Sequence, residues 1–143
     1  MLKYHVYKKQ QQDKFNKLPM KAAFGDEQFK EMMAEWGLTT SEEDLAKITS
    51  LGYGAYCLNE DAHLFTEFTA QSLKEDEEYY KDDEQLEDAF IYEFGNHECG
   101  YTGNPYEALG ALGMTQKEID EDDRLKRIFL KSWHNYIFNV LDY

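Results

Sequence analysis

The stretch from Asp88 to Met114, DAFIYEFGNHECGYTGNPYEALGALGM, constrains the fold more than any other part of the chain. Leu86, Ala89, Phe90, Glu93, Phe94 and His97 recur at three- and four-residue spacing, which places them on one face of a helix entered through Asp82 and Asp83. That face demands a core, and it takes a carboxylate and an imidazole in with it. Gly95 and Asn96 weaken the helix, so it is expected to end near His97. Gly100, Gly103, Asn104 and Pro105 then form a turn cluster, since glycine admits positive φ and proline fixes φ while removing an N–H. Asn104 is placed to cap a short helix with Pro105 at its first position, running through Ala108, Leu109 and Leu112 to a stop at Gly113. Two helices therefore meet at a corner carrying His97, Glu98, Cys99, Tyr101 and Thr102.

The remaining elements are read as cover for that face. From about Asp123, Leu125, Ile128, Phe129, Ser132, Trp133, Tyr136, Ile137, Val140 and Leu141 follow i, i+3, i+4, i+7 spacing, which predicts a closing helix with a wide apolar face. Gly25 or Asp26 starts another helix, with Phe29, Met32, Met33 and Trp36 on one side and Gly37 as its stop. Thr40 with Glu43, or Ser41 with Asp44, makes a capping box for a short helix containing Leu45 and Ile48, and Thr115 with Glu118 repeats the pattern. Leu51 to Leu58, LGYGAYCL, alternates small and apolar residues and predicts a strand or hairpin edge. Asn59 to Asp61 leads into a longer helix on which Leu64, Phe65, Phe68 and Leu73 face inward. The sum is an α+β fold, mainly α: a compact helical domain with a short strand or hairpin near residues 51–58.

At 143 residues the length prior gives one domain, residues 1–143. Cys57 and Cys99 lack CxxC spacing and no apolar leader follows Met1, so a reduced cytoplasmic protein with free thiols is expected. The apolar runs fall far short of the roughly 18 residues that a membrane-spanning helix needs. The net charge of −14 is unevenly spread: residues 1–21 hold six lysines against Asp13, a balance of +5, so residues 22–143 carry −19. Residues 1–21 are read as a basic N-terminal arm, in which residues 3–17 offer a short helix that is weakly amphipathic and expected to fray, and residues 22–143 as an acidic body. Such a body repels nucleic acid and anionic membrane and attracts basic protein surfaces.

The segment FIYEFGNHECGYTGN and the LGALGMTQKEID that follows resemble a family of small uncharacterised acidic proteins of Firmicutes and of their phages and mobile elements, in which FIY…E..NHE..YTG and an LGLT-type step recur. The resemblance takes in FGDEQFKEMMAEWGL and SLGYGAYCLNED, and so runs from Phe24 to Asp120. It implies no established reaction. The family is less consistent at Cys57 and Cys99, so no shared cysteine chemistry is implied.

Three constellations bear on function. Glu93, His97 and Cys99, with His63 or His134, offer zinc ligands, but no two histidines or cysteines have the short spacing of structural sites, so neither metal nor cofactor is expected. Cys99 beside His97 offers a nucleophile and a base, but residues two apart on a turn do not ordinarily face each other, so no catalytic residue is assigned and the chain is read as non-enzymatic. The third is the acidic run Glu75, Asp76, Glu77, Glu78, Asp82, Asp83, Glu84 and Glu87, opposed by Lys81 and set with Tyr79, Tyr80 and Tyr92. Carboxylates along a helix imitate a phosphate backbone and fit a lysine/arginine groove, with tyrosine supplying contact area.

The leading expectation is therefore an acidic inhibitor, monomeric or homodimeric. It occupies the basic surface of a nucleic-acid-binding protein through Glu75, Glu77, Glu78, Tyr79, Tyr80, Asp82, Asp83, Glu84 and Glu87, and itself binds neither nucleic acid nor membrane. The resemblance to proteins of mobile elements implies an anti-defence role, against CRISPR or restriction. One alternative is a small enzyme or ligand-binding domain with a pocket at Glu93, His97, Glu98, Cys99 and Tyr101. Another is a host-physiology adaptor that uses Tyr53 and Tyr56 as a strand edge.

Overall fold

Caps and turns in the chain set most element boundaries across residues 1–141, which are the residues described in a computed structural model. In order these are α1 (Tyr4–Asn16), β1 (Lys21–Ala22), α2 (Asp26–Glu35), α3 (Glu42–Leu45), β2 (Ile48–Gly52), β3 (Ala55–Leu58), a 3₁₀ turn (Asn59–Asp61), α4 (Ala62–Tyr79), α5 (Asp83–Asn96), α6 (Cys99–Thr102), α7 (Tyr106–Ala111), α8 (Gln116–Glu121), α9 (Asp123–Asn135) and a π-helical turn (Tyr136–Val140). The class is α+β and mainly α. Packing divides the chain into two units, Gln12–Leu73 and Met1–Gln11 with everything from Lys74 onward, the divisions falling inside α1 and α4.

In the Gln12–Leu73 unit, an antiparallel sheet has the order β1-β3-β2. Tyr53 and Gly54 both take positive φ (52° and 79°) at the β2–β3 turn, the arrangement that matches strand twist in a tight hairpin. Gly54 is required for a second reason: a Cβ there would lie 2.7 Å from the Phe24 ring and 3.0 Å from the Ala23 carbonyl. A bulge at Leu51 shifts the register between Ser50 and Gly52. Met32 and Met33 of α2 are buried with Ala23, and Phe29, Trp36, Leu38, Ile48 and Tyr56 pack around them.

Two details of this unit differ from the sequence reading. The Ser41 hydroxyl accepts from the Asp44 N–H as a cap, but α3 ends at Leu45 and Ile48 opens β2 instead of continuing the helix. Leu73 is exposed, because it falls five residues beyond Phe68, about 140° round the helix.

In the other unit α5 is the central element. Leu86, Ala89, Phe90, Glu93 and Phe94 are fully buried, and the Asp82 carboxylate caps the helix by accepting from Gln85 N–H at 3.0 Å. Phe90 and Phe94 meet Phe129 of α9 edge-on at 5.7 and 5.8 Å, and Trp133 meets Phe94 at 5.0 Å. Ala108 and Leu109 of α7, Leu112, and Ile119 of α8 complete the core. Thr115 accepts from Glu118 N–H at 3.2 Å as the expected cap of α8, whereas α7 begins one residue later than expected, with Pro105 at its N-cap position and Asn104 accepting from Tyr106 N–H at 2.9 Å.

The N-terminal helix forms as α1, but instead of fraying it is seated in this core through the buried Tyr4 and Tyr7. Tertiary partners supply what its weak amphipathicity does not. Asp88 accepts from Tyr4 N–H at 2.7 Å, serving as a cap in trans, and Gln85 accepts from Leu2 N–H at 3.0 Å. Tyr79 donates to the Leu2 carbonyl at 2.7 Å, and the Tyr7 and Tyr79 rings stack at 4.2 Å.

The C-terminal face also departs from simple helical spacing. Leu141 N–H bonds the Tyr136 carbonyl five residues back at 2.7 Å, the signature of a π turn. That extra residue turns Val140 outward and packs Leu141 against the core and over Gly100, where a Cβ would run into it.

The buried tyrosines carry a pH signature. Burial first, then Asp88 and Asp82, pushes the Tyr79 hydroxyl up to about 12. Burial likewise raises Tyr4 (with Tyr80 and Glu93), Tyr7 (with Asp76) and Tyr80 (with Asp76). In the unfolded chain a tyrosine ionises near about pH 10. Above that pH the unfolded state has released protons that the folded state keeps, so stability from these rings is intact below about pH 10 and falls as pH rises beyond it. In an alkaline titration, tyrosinate absorbance from these four rings is expected to appear together with loss of the helical circular dichroism. Ionisation near pH 10 with the helical signal intact would show that the rings are not packed in this way.

Candidate functional site

The acidic run divides into side chains that hold structure and side chains that face solvent. Asp76 accepts from the Tyr7 hydroxyl at 2.5 Å, Glu75 accepts from Gln11 at 2.5 Å, and Asp82 is the α5 cap. Glu87 lies 3.2 Å from Lys131 and within 3.5 Å of Asn135. Tyr79 is buried and Tyr80 half-buried, so the expectation that Tyr79 offers contact area is corrected: its ring lies in the tyrosine cluster of the core. Glu77, Glu78 and Glu84 are left outward at the α4–α5 turn, with Lys81 paired to Glu78 at 2.8 Å, and the exposed Asp82 and Asp83 also hold the turn.

Arg124 fixes this turn. Its Nε donates to Asp83 at 2.8 Å, and its Nη2 donates to the carbonyls of Tyr80 at 2.7 Å and Lys81 at 3.0 Å. The Arg124 guanidinium, joined by Arg127, holds Asp83 below the usual carboxylate range. Since Arg124 sits in the first turn of α9, it draws a second acidic segment, Glu118 with Asp120 to Asp123, toward the first. Sequence reasoning missed this juxtaposition. The EIDEDDR run was visible, but nothing local said that its arginine would reach back 41 residues.

The corner is organised around Glu93. This fully buried carboxylate accepts from Lys8 Nζ at 2.7 Å and from Asn96 Nδ2 at 3.4 Å. Lys8 also lies over the rings of Tyr92 and Tyr4, 5.2 and 5.5 Å from their centroids. His97 caps α5 with its backbone, and its ring stands between two carboxylates, Nε2 3.2 Å from Glu93 without an aligned hydrogen bond and Nδ1 3.5 Å from Glu107.

The other corner residues take separate places. Cys99 is buried, and burial pushes its thiol up, as it does that of Cys57, which leaves little thiolate for nucleophilic chemistry. Tyr101 is exposed. Glu98 is exposed in the left-handed region at φ 52° and bonds through its backbone. Tyr56 lies on β3, the central strand, and Tyr53 is at the hairpin tip, so the two do not form a strand edge. Among the described residues no three His, Cys, Asp or Glu side chains are grouped to hold a metal ion, and no helix is long and apolar enough to cross a membrane.

Fold and site together define a mainly helical α+β protein whose acidic turn is locked by an arginine and whose central helix carries a buried, paired carboxylate. A model described as "Family of unknown function (DUF7659)" matches residues 3–135, and the chain belongs to that family. The match takes in Lys8, Glu93 and Arg124, so every part of both arrangements lies inside it. No curated protein and no solved structure matches the chain.

Two substitutions test the corner. Lys8→Ala strands a buried carboxylate and is expected to cost about 1–3 kcal/mol in urea unfolding, against no more than about 0.5 for the exposed Lys3→Ala. Glu98→Gly relieves a left-handed backbone and is expected to raise stability by about 0.5–1 kcal/mol, where a side chain with a structural bond would lower it.

Proposed function

We propose that the protein is a non-enzymatic acidic binding module that engages a basic protein surface through the α4–α5 turn and the start of α9. The observation that carries this reading is the Arg124 clamp, which ties the start of α9 to the Asp83 carboxylate and to the Tyr80 and Lys81 carbonyls of the α4–α5 turn while Glu77, Glu84 and Asp123 stay exposed. Fixed negative charge of this kind speeds encounter with a cationic groove and loses little entropy on docking. The net charge of −14 disfavours nucleic acid itself as the partner.

The grooves that fit best are those that grip a phosphate backbone with lysine and arginine. The partner in this reading is a nucleic-acid-binding protein, and the resemblance to proteins of Firmicutes phages and mobile elements supports an inhibitor of host defence as its particular form.

Reversing Glu77, Glu84 and Asp123 to lysine tests the surface without removing the Asp82 cap or the Asp83–Arg124 pair. Immobilised wild-type chain is expected to capture, at low salt, a basic protein that either high salt or a short DNA or RNA duplex releases. The triple variant is expected to capture at least about tenfold less, mainly through slower association. Equal capture by both would mean that these carboxylates are only a solvated surface.

A further inference from the structure

The Gln12–Leu73 unit contains a cavity of about 470 Å³ lined by Phe15, Met20, Leu51, Ala55, Phe65 and Thr69, with Gly52 and Tyr53 completing its wall. It lies where a second core would be expected. Alternate residues of a strand face opposite sides of a sheet, so Tyr56, packed on Phe29 of α2 at 5.4 Å, leaves Ala55 facing away from α2. Phe15 meets Phe65 and Phe68 at 6.3 and 5.6 Å, but small Ala55 and Gly52 do not reach across to them. The hollow is open to solvent beside Gly52, Tyr53 and Thr69, and an apolar molecule seated in it would take the half-buried Phe15, Met20, Leu51, Ala55 and Phe65 out of water.

The lining also sets the class of occupant. None of its side chains is charged, so a charged ligand would be desolvated without a partner. Its side-chain polar groups are the hydroxyls of Thr69 and Tyr53, and Thr69 donates to the Phe65 carbonyl at 3.0 Å, which leaves its oxygen free to accept. The volume falls in the range of small-molecule sites.

We infer that this unit binds a small, neutral, mainly apolar molecule, ring-shaped or short-chained, with at most one hydrogen-bond donor directed at Thr69. The site is separate from the acidic turn and is not part of the partner-binding reading.

Titration of the full chain with the neutral fluorophore N-phenyl-1-naphthylamine tests it. Saturable one-site enhancement is expected, with the anionic anilinonaphthalene sulfonate binding at least about tenfold more weakly. Thr69→Phe and Ala55→Leu each place bulk in the cavity from a different element, and each is expected to weaken neutral-probe binding at least about tenfold with the thermal melt unchanged or raised. If one fails to fold, the other decides. Absence of saturable binding, equal binding of the anionic probe, or undiminished binding by a folded filled variant would overturn the inference.

Discussion

The pairing of Lys8 with Glu93 is the interaction on which the unit around α5 depends. α5 is enclosed on the faces that carry Leu86, Phe90 and Phe94, and it takes a carboxylate into that enclosure at Glu93. A buried carboxylate left unpaired costs several kcal/mol, so the helix is tolerable there only with a cation beside it. The cation comes from α1, and the docking that delivers it also seats Tyr4 and Tyr7 against Tyr79. Aspartate at position 88 then closes the start of α1. One electrostatic requirement thus turns a lysine-rich leader into part of the core.

Carboxylates elsewhere in this unit divide their work in a similar way. Asp82, Asp83, Glu87 and Asp88 are engaged in caps and pairs that position backbone, while Glu77 and Glu84 project from the same short region with no such task. Rigid inward contacts are what make outward charge directional, since a charge on a mobile turn samples many positions and favours no particular arrangement of cations. The acidic composition is therefore both a structural device and a field, with Arg124 linking the two.

Much of this was legible from sequence because it is local. The α5 face, the caps at Asp82, Ser41 and Thr115, and the glycine-rich hairpin all rest on spacings of a few residues, and each formed. What escaped was non-local. Tyr4 and Tyr7 are merely two aromatic residues among lysines and glutamines until a distant partner surface buries them, as the Tyr7–Asp76 and Tyr4–Asp88 hydrogen bonds, 69 and 84 residues apart, illustrate. Tyr79 looked like surface because its neighbours are acidic, yet the helix turns it inward. The second acidic segment was plain to read, but its place beside the first depends on a single long-range guanidinium.

The π turn at Tyr136–Val140 is in effect a one-residue insertion absorbed without a loop. A helix normally returns to the same face after three or four residues, and here it needs five, so the last stretch of chain contains one more side chain than its inner face can use. That surplus is displayed outward, among Phe138, Asn139 and Val140, while Tyr136 and Leu141 keep their seats on α5 and α6. Adding or removing a residue at this point would therefore edit the outer surface of the closing helix and leave the core beneath it unaltered.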